Sequence, residues 1–184
     1  MVDEATASYE RFLQGDSKGL EELVHRYNLG LIRFLNGYVK DIDTAQDLAA
    51  DTFAELLVRK SRFSGRSSFQ TWLFQIGRHN ALDYLRRKKR RQEVNIDDIK
   101  HAASGKNVED MICQQEQKRE LYAAISTLKQ EYMEVVLLLY FEGMSYEQAG
   151  KVMHKSQRQI KNLAYRAKQA LKERLKEEGT DHAQ

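Results

Sequence analysis

Apolar residues recur at three- and four-residue intervals along most of the chain, a spacing typical of amphipathic helices. The first such stretch runs to about Tyr38 and the second runs from Ala45 to about Arg59. Candidate N-caps precede both stretches: Asp16 or Ser17 for the first, Asp43 or Thr44 for the second. The inward residues of the second helix are predicted to be Leu48, Ala49, Phe53, Leu56 and Leu57. The pattern predicts packed helices, with acids and amides of the second helix facing outward.

A loop of basic, aromatic and small residues follows at positions 60–69. Ser67 or Ser68 is expected to cap the next helix, in which Phe69 and Trp72 face inward. That helix ends in six consecutive basic residues, Arg86 to Arg91. Arginines can hold phosphates, an aromatic ring can stack, and small residues leave room for an extruded base. The loop therefore suits single-stranded nucleic acid, although a plain Gly/Ser connector has the same composition.

Helical periodicity fades from about residue 93 to residue 116, where scattered acids and Ser104-Gly105 predict a flexible linker. A second helical domain starts near Gln117, and its central helix is expected over Tyr132–Tyr140. That segment is almost continuously apolar, which is typical of a helix at the centre of a bundle. We therefore predict an all-α protein with two small helical domains.

The second domain contains a predicted helix-turn-helix. Ser145 is a candidate cap with Gln148 as its capping-box partner, and the helix it opens ends near Met153. Ser156 caps a second helix whose buried stripe is Ile160, Leu163 and Ala167. The outer face of this helix carries Gln157, Arg158, Gln159, Lys161, Asn162, Tyr165 and Arg166, with no acid from Ser156 through Ala170. A helix laid in the DNA major groove needs such a face; an ordinary solvated basic hairpin is the alternative.

Composition limits the remaining possibilities. The 184 residues include 41% hydrophobic and 31% charged residues and no proline, which indicates a soluble, charge-rich helical protein. Cys113 is the only cysteine, so neither an internal disulfide nor a CxxC metal site can form. No apolar run is long enough to span a bilayer and no signal-peptide pattern is present, so we expect a cytoplasmic protein. We predict no catalytic residue, no metal site and no cofactor.

Several short motifs occur in a fixed order. They are Asp47-Leu48 with Asp51-Thr52-Phe53, Phe63-Ser64-Gly65, Phe69-Gln70-Thr71-Trp72-Leu73, Asn80 with Asp83, the run from Tyr140 to Gln148, and Tyr165-Arg166-Ala167. In this order and spacing the chain resembles the group IV, extracytoplasmic-function (ECF) bacterial sigma factors, the promoter-recognition subunits of RNA polymerase. The resemblance extends from about Ser8 to Lys176.

The resemblance implies that different parts of the chain have different roles. Residues 8–92 would form a sigma region 2-like domain, 93–116 the linker, 117–176 a region 4-like domain, and 177–184 a tail. Residues implied to dock on the clamp helices of core polymerase are Gln46, Asp47, Ala50, Asp51 and Glu55. Residues implied to read and melt the −10 element are Arg62, Ser64, Gly65, Arg66, Phe69, Trp72, Asn80, Asp83, Arg86 and Arg87. Residues implied to read the −35 element are Ser156, Gln157, Arg158, Gln159, Lys161, Asn162, Tyr165 and Arg166.

The same resemblance implies further partners. The second domain would also contact the polymerase flap, and the linker would thread toward the active-site and RNA-exit channel. An anti-sigma factor, commonly membrane-anchored in this family, would hold the protein inactive. The turn of the helix-turn-helix carries His154-Lys155 where the family usually has Gly before a hydrophobic residue, so His154 is expected at positive φ.

Two other classes of protein compete with this interpretation. A two-domain helix-turn-helix regulator that acts without being a polymerase subunit would explain the basic run and the second domain. It would leave the loop at 60–69 and the helix after it unexplained. A nucleic-acid-processing enzyme is a poorer match, because the chain has no P-loop, no HExxH and no His/Cys cluster.

Overall fold

The computed structural model describes residues 4–58, 63–94 and 116–181, and all regular structure in these ranges is helical. The chain divides into two compact units, Met1–Gly105 and Lys106–Gln184. This division falls inside the predicted linker, of which residues 95–115 lie outside the described part of the chain. Residues 93 and 94 belong to a helix instead. The predicted all-α class with two helical domains is confirmed.

Four helices are found in the described residues of the first unit. They are α1 (Glu4–Leu13), α2 (Ser17–Val39), α3 (Ile42–Val58) and α4 (Phe69–Val94). Helix α2 packs against the other three, so its apolar stripe is the centre of the core. Its Leu31, Phe34 and Leu35 are completely buried, as are Leu73 and Phe74 of α4. Each such side chain contributes about 1.5–3 kcal/mol through burial.

Helix starts in this unit follow the capping rules, with one correction. The Asp16 carboxylate accepts a hydrogen bond from the Lys18 backbone N–H at 3.0 Å, as predicted. The cap of α3 is Asp41, not Asp43 or Thr44. Its carboxylate accepts from the Thr44 N–H at 3.0 Å and from the Thr44 hydroxyl. The N–H groups one turn into α3 lie within reach of Asp41, and this moves the start of the helix back to Ile42.

Helix α1 was not predicted. Its Ala5, Tyr9 and Phe12 lie at helical spacing and are buried against the rest of the unit. Gly19 makes the close packing possible, since a Cβ there would lie 2.2 Å from the Ser8 carbonyl oxygen. The prediction that Leu57 faces inward is wrong, because its residue is 46% exposed near the end of α3.

The second unit contains α5 (Glu116–Ser126), α6 (Gln130–Val136), α7 (Tyr146–Met153) and α8 (Gln157–Asp181). A turn of π-helix, Leu137–Phe141, continues α6. The helix therefore starts before the predicted Tyr132. Its residues Met133, Val135, Val136, Leu137 and Leu138 are buried. Tyr140 is 58% exposed, so this helix is not buried on all sides.

The last helix extends further than expected. Residues 177–184 were expected to form a tail, whereas α8 continues to Asp181. Its charged C-terminal part contributes little to the core, since Glu173, Arg174 and Lys176 are exposed. Within the described ranges, every helix is too short or too polar to cross a bilayer.

Candidate nucleic-acid interface

The helix-turn-helix begins as predicted, with a capping box. The Ser145 hydroxyl accepts from the Gln148 backbone N–H at 3.2 Å, and the Gln148 side-chain oxygen accepts from the Ser145 N–H at 2.8 Å. Helix α7 ends at His154, which has φ 54° and donates its backbone N–H to the Gly150 carbonyl oxygen. The predicted positive φ of His154 is confirmed. These two ends fix α7 at a little over two turns.

Gly150 sets how closely the turn approaches α7. The Lys155 N–H donates to the Gly150 carbonyl oxygen at 2.9 Å. A Cβ on Gly150 would lie 2.6 Å from the Lys155 carbonyl oxygen and 3.7 Å from Ile160. Only a residue without a side chain allows this approach. The Lys155 ammonium also contacts Glu131 of α6 at 2.8 Å, which ties the turn to the preceding helix.

Helix α8 starts with a second capping box. The Ser156 hydroxyl accepts from the Gln159 N–H at 3.2 Å, and the Gln159 side-chain oxygen accepts from the Ser156 N–H at 2.8 Å. The polar atoms that we expected to contact DNA therefore hold the first turn of α8 in place. Ser156 and Gln159 thus position α8, and both are exposed, so their contact with DNA stays a prediction.

The remaining candidates for reading duplex DNA form one exposed face. They are Gln157, Arg158, Lys161, Asn162, Tyr165 and Arg166. The opposite side of α8 is closed by Ile160, Ala164 and Ala167, which are buried. The face carries no acid and begins at a helix N-terminus, where the helix dipole is positive. It can therefore accept phosphates and present amide and guanidinium groups to base edges.

The start of α7 carries its own charge pair. The Lys151 ammonium lies 2.9 Å from the Glu147 carboxylate, one helical turn away. The hydrogen bond from Lys151, and then its positive charge, lower the pKa of Glu147. The carboxylate stays ionised in the first turn of α7, where the helix dipole favours a negative charge.

In the first unit, the loop before α4 is described from Phe63 onward, and Arg62 lies outside the described residues. Ser64, Gly65 and Arg66 are exposed, as a nucleic-acid contact requires. Gly65 has φ 68°, a conformation that other residues rarely adopt. The Ser68 hydroxyl accepts from the Thr71 N–H at 3.2 Å, so Ser68 is the cap of α4, one of the two predicted residues.

The two aromatic candidates for −10 contact, Phe69 and Trp72, are less exposed than the loop residues. Phe69 is completely buried, so its ring cannot touch DNA in this conformation. This corrects its predicted role from contact to support, because the hydrophobic effect favours an inward ring at the first position of α4. Trp72 is half-buried and packs against Phe63 at 5.1 Å between ring centroids.

Asn80 joins α4 to α3. Its side-chain amide donates to the Thr52 hydroxyl at 3.2 Å and to the Glu55 carboxylate at 3.3 Å. The Thr52 hydroxyl in turn donates to the Leu48 carbonyl oxygen at 2.7 Å. A predicted DNA contact and a predicted polymerase contact, Glu55, are thus hydrogen-bonded to each other.

Asp83 lies between His79 and Arg86 on α4. Its carboxylate is 3.1 Å from His79 Nε2 and 2.9 Å from the Arg86 guanidinium. Arg87 donates to the Asp83 carbonyl oxygen at 3.3 Å. All six basic residues from Arg86 to Arg91 are exposed. Asp83 therefore organises the start of the basic run, which presents its charges to solvent on the last turns of α4.

The predicted polymerase-binding face lies on α3. Asp47, Ala50 and Asp51 are exposed, while Gln46 and Glu55 are half-buried. The opposite face is closed by Leu48, Ala49, Phe53 and Leu56. The structure thus brings all five predicted residues to the outer side of one helix. Among the described residues, no three His, Cys, Asp or Glu side chains are grouped as metal ligands.

Sequence reasoning missed three structural features. The second capping box has the same Ser-x-x-Gln pattern as the first, so the spacing of Ser156 and Gln159 already indicated it. Helix α1 was signalled by the spacing of Ala5, Tyr9 and Phe12. The packing of Tyr9 against Phe63 of the loop, at 5.6 Å between ring centroids, had no signal in the sequence because it depends on tertiary structure.

Family models match both units. Residues 23–91 match Sigma-70 region 2, and residues 118–171 match Sigma-70, region 4. The ECF RNA polymerase sigma factor SigM of Bacillus subtilis is 31% identical over 154 residues, which cover 83% of this chain and 93% of SigM. The chain belongs to the ECF sigma factors. SigX of the same organism is 30% identical, with 83% of this chain and 81% of SigX covered.

Solved structures agree with this membership. The sigma factor RpoE of Bartonella quintana, solved with the anti-sigma factor NepR, superposes with a TM-score of 0.64 at 25% identity. That comparison covers 85% of this chain and 98% of RpoE. CnrH, solved with the cytosolic domain of CnrY, shares the fold with a TM-score of 0.65 at 21% identity, over 95% and 98% of the two chains. The resemblance inferred from the motifs is confirmed, and the chain is a polymerase-binding, promoter-directing sigma factor.

Proposed function

We propose that this ECF sigma factor reads the −35 element with α8 and captures the melted −10 element with the loop before α4. The observation that carries the −35 assignment is the acid-free face of α8, fixed by the capping box at Ser156. Gln157, Arg158 and Asn162 carry the amide and guanidinium groups that recognise base edges in the major groove. Lys161 and Arg166 supply charge for phosphates.

The −10 element is assigned to the exposed part of the loop and to the adjoining face of α4. Ser64, Gly65 and Arg66 present small and cationic groups with room for a flipped base. Trp72 lies behind them at the start of α4, and Asn80 and Asp83 follow on the same helix. The basic run, including Arg86 and Arg87, holds the DNA backbone without sequence preference.

Polymerase binding is assigned to α3. Its exposed Asp47 and Asp51 suit a basic surface on the clamp helices, with Gln46, Ala50 and Glu55 completing the contact. The second unit would contact the flap, and residues 93–116 would link the two units along the polymerase channel. This division assigns 8–92, 117–176 and 177–184 to the −10 domain, the −35 domain and the tail.

Regulation and location follow from family membership. The solved RpoE structure contains an anti-sigma factor, which supports an anti-sigma factor as a partner of this chain. RNA polymerase works in the cytoplasm, and we assign this sigma factor to the same compartment. The family acts in transcription initiation, and our proposal gives this chain no catalytic step of its own.

The proposal is tested by combining the purified chain with bacterial core RNA polymerase and a library of random −35 and −10 sequences. We expect transcription to enrich paired motifs at a fixed spacing. Duplex binding without polymerase, together with no initiation, would instead favour the helix-turn-helix regulator. In that case the clamp and melting roles of the first unit would be withdrawn.

A further inference from the structure

Four aromatic rings from three parts of the first unit form one cluster beside the candidate −10 loop. Tyr9 comes from α1, Phe63 from the loop, and Phe69 and Trp72 from the first turn of α4. All six pairs of ring centroids are 5.1–5.9 Å apart. These separations lie in the favourable range for tilted and edge-to-face aromatic contacts. Each ring therefore touches the other three.

Phe63 is the point at which the exposed loop enters the core. The three residues after it, 64–66, are exposed, and Gly65 adopts a left-handed conformation. A loop of this kind depends on its ends for a defined shape. Within the described part of the loop, residues 63–68, Ser68 caps α4 and the half-buried Phe63 packs into the aromatic cluster. The partners of Phe63 thus decide how the loop presents its polar groups.

Tyr9 is the part of the cluster that α1 contributes. Its residue is 0% exposed, and burial raises the pKa of its hydroxyl, so the side chain stays neutral. Tyr9 contacts Phe63, Phe69 and Trp72, and so bridges the loop and α4. Without its ring, Phe63 would lose an edge-to-face partner at 5.6 Å and a gap would open beneath the loop.

The position of Tyr9 depends on the docking of α1 on α2. Gly19 allows the two backbones to approach, because a Cβ there would lie 2.2 Å from the Ser8 carbonyl oxygen and 2.8 Å from the Phe12 nitrogen. Ion pairs of Arg11 with Glu22 and of Arg26 with Glu4 lie along the same junction. These pairs are exposed and contribute little, so the close packing at Gly19 sets the depth of α1.

We propose that α1 is a positioning element for the −10 loop, with Tyr9 as the residue that fixes Phe63 and hence the exposed groups at positions 64–66. This inference rests on the assignment of the loop to the −10 element. It predicts that substitutions which displace α1 lower the selectivity for the −10 element, although no residue of α1 is among the proposed DNA contacts. If Tyr9 only stabilised the fold, its replacement would lower the free energy of unfolding without a specific effect on the loop.

The test uses the full chain and four variants. Tyr9→Leu removes the ring, Tyr9→Phe keeps it, and Gly19→Ala displaces α1 without touching the cluster. Phe34→Leu is the matched control, since Phe34 is equally buried and its ring partners are Tyr38 and Phe74. Hydrogen exchange of residues 63–68 and acrylamide quenching of Trp72, the only tryptophan, report the loop and the cluster without DNA.

We expect Tyr9→Leu and Gly19→Ala to accelerate loop exchange by about tenfold and to expose Trp72 to quencher, with Tyr9→Phe and Phe34→Leu close to the parent. Holoenzyme with the first two variants should lose about tenfold in discrimination between cognate and mismatched −10 strands, the range provided by one base contact. Affinity for core polymerase and selectivity at −35 should stay unchanged.

Two results would overturn the inference: loop exchange unaffected by Tyr9→Leu, or loop and −10 effects equal for Tyr9→Leu and Phe34→Leu. Failure of the −10 assignment would give a different pattern. Loop exchange and Trp72 quenching would still respond to Tyr9→Leu, while −10 selectivity would be the same in parent and variant. That result would limit α1 to fixing the loop and would remove its link to the promoter.

Discussion

The two surfaces that we propose to face DNA differ in how their side chains are held. On α8, Gln157, Arg158 and Asn162 are exposed on a helix whose first turn is fixed by a capping box. On α4, Asn80 is hydrogen-bonded to α3, and Asp83 is paired with His79 and Arg86. The α8 face can enter a regular major groove as a rigid surface. The α4 face gives up internal hydrogen bonds if Asn80 or Asp83 contacts a strand.

This difference matches the two states of the DNA that we assign to the surfaces. Duplex DNA offers a groove of constant shape, so a preformed helix suffices to read it. A melted strand has no fixed shape, and its reader must trap individual bases with a loop and an adjoining helix. The internal bonds of Asn80 also involve Glu55, on the face assigned to polymerase. Polymerase binding to Glu55 would therefore alter the hydrogen bonding of Asn80.

The largest expected effect comes from the basic run. Replacing Arg87, Lys88, Arg90 and Arg91 with Gln removes four exposed charges and leaves the Asp83–Arg86 pair intact. Each phosphate contact to a single strand contributes about 0.7 to the slope of log affinity against log salt, so we expect a decrease of about 3 in the slope's magnitude. Holoenzyme binding to a single-stranded −10 oligonucleotide, titrated with salt, measures it. An unchanged slope would place the run away from DNA.

Gly150→Ala is expected to damage the α8 surface through packing alone. The added methyl group would lie 2.6 Å from the Lys155 carbonyl oxygen, so the turn before α8 must shift. Overpacking of this kind costs about 1–3 kcal/mol of unfolding free energy. The free energy of unfolding measured with denaturant and the affinity for the −35 element should both decrease, while the affinity for the −10 element should be retained. Lys151→Ala on the same helix removes a surface ion pair without adding volume next to Lys155, and serves as the control. Equal behaviour of the two variants would contradict the prediction.

Arg158→Ala tests reading by the α8 face without altering its fold, because Arg158 is exposed. Loss of a bidentate base contact costs about 1–3 kcal/mol of discrimination at one base pair. Selection of −35 variants by the mutant holoenzyme should relax at one or two positions and stay sharp elsewhere. A uniform loss across all sequences would show that Arg158 binds phosphate, as we expect for Lys161→Ala.

The smallest effect is expected for the bridge between α3 and α4. Asn80→Ala removes hydrogen bonds to Thr52 and Glu55 and should lower the free energy of unfolding by about 1 kcal/mol. Binding of the −10 strand should fall as well, if Asn80 contacts DNA in the holoenzyme. Glu55→Gln keeps an acceptor for Asn80 while removing the charge of Glu55, and so separates the hydrogen bond to Asn80 from the proposed contact of Glu55 with polymerase. A stability loss with unchanged −10 binding would assign Asn80 to the fold alone.

Much of the fold could be predicted because its signals are local. The capping box at Ser145 and the positive φ of His154 depend on residues within one turn of each other. The start of α3 was misplaced because we considered only Asp43 and Thr44, whereas Asp41, which can cap equally well, lies two positions earlier. Local pattern alone could not rank them. Leu57 was placed inward by periodicity, yet the packing around the end of α3 leaves it 46% exposed.

The candidate sites divide in the same way. The α8 face could be predicted because one buried stripe, including Ile160 and Ala167, determines which side is exposed. The −10 site could not be predicted fully. Helical periodicity correctly placed Phe69 inward, whereas its family motif implied a DNA contact, and the completely buried ring supports Phe63 instead. A motif identifies a residue, whereas its neighbours in three dimensions decide what its side chain touches.

From the sequence we could predict the helix-turn-helix, the family and every described helix except α1, because periodicity, capping and motif order are properties of neighbouring residues along the chain. Tertiary structure alone decided the rest. It brought Tyr9 of α1 beside Phe63, and Asn80 of α4 beside Glu55 of α3. Contacts between residues so distant in sequence depend on how helices pack, and no local pattern encodes which side chains meet there.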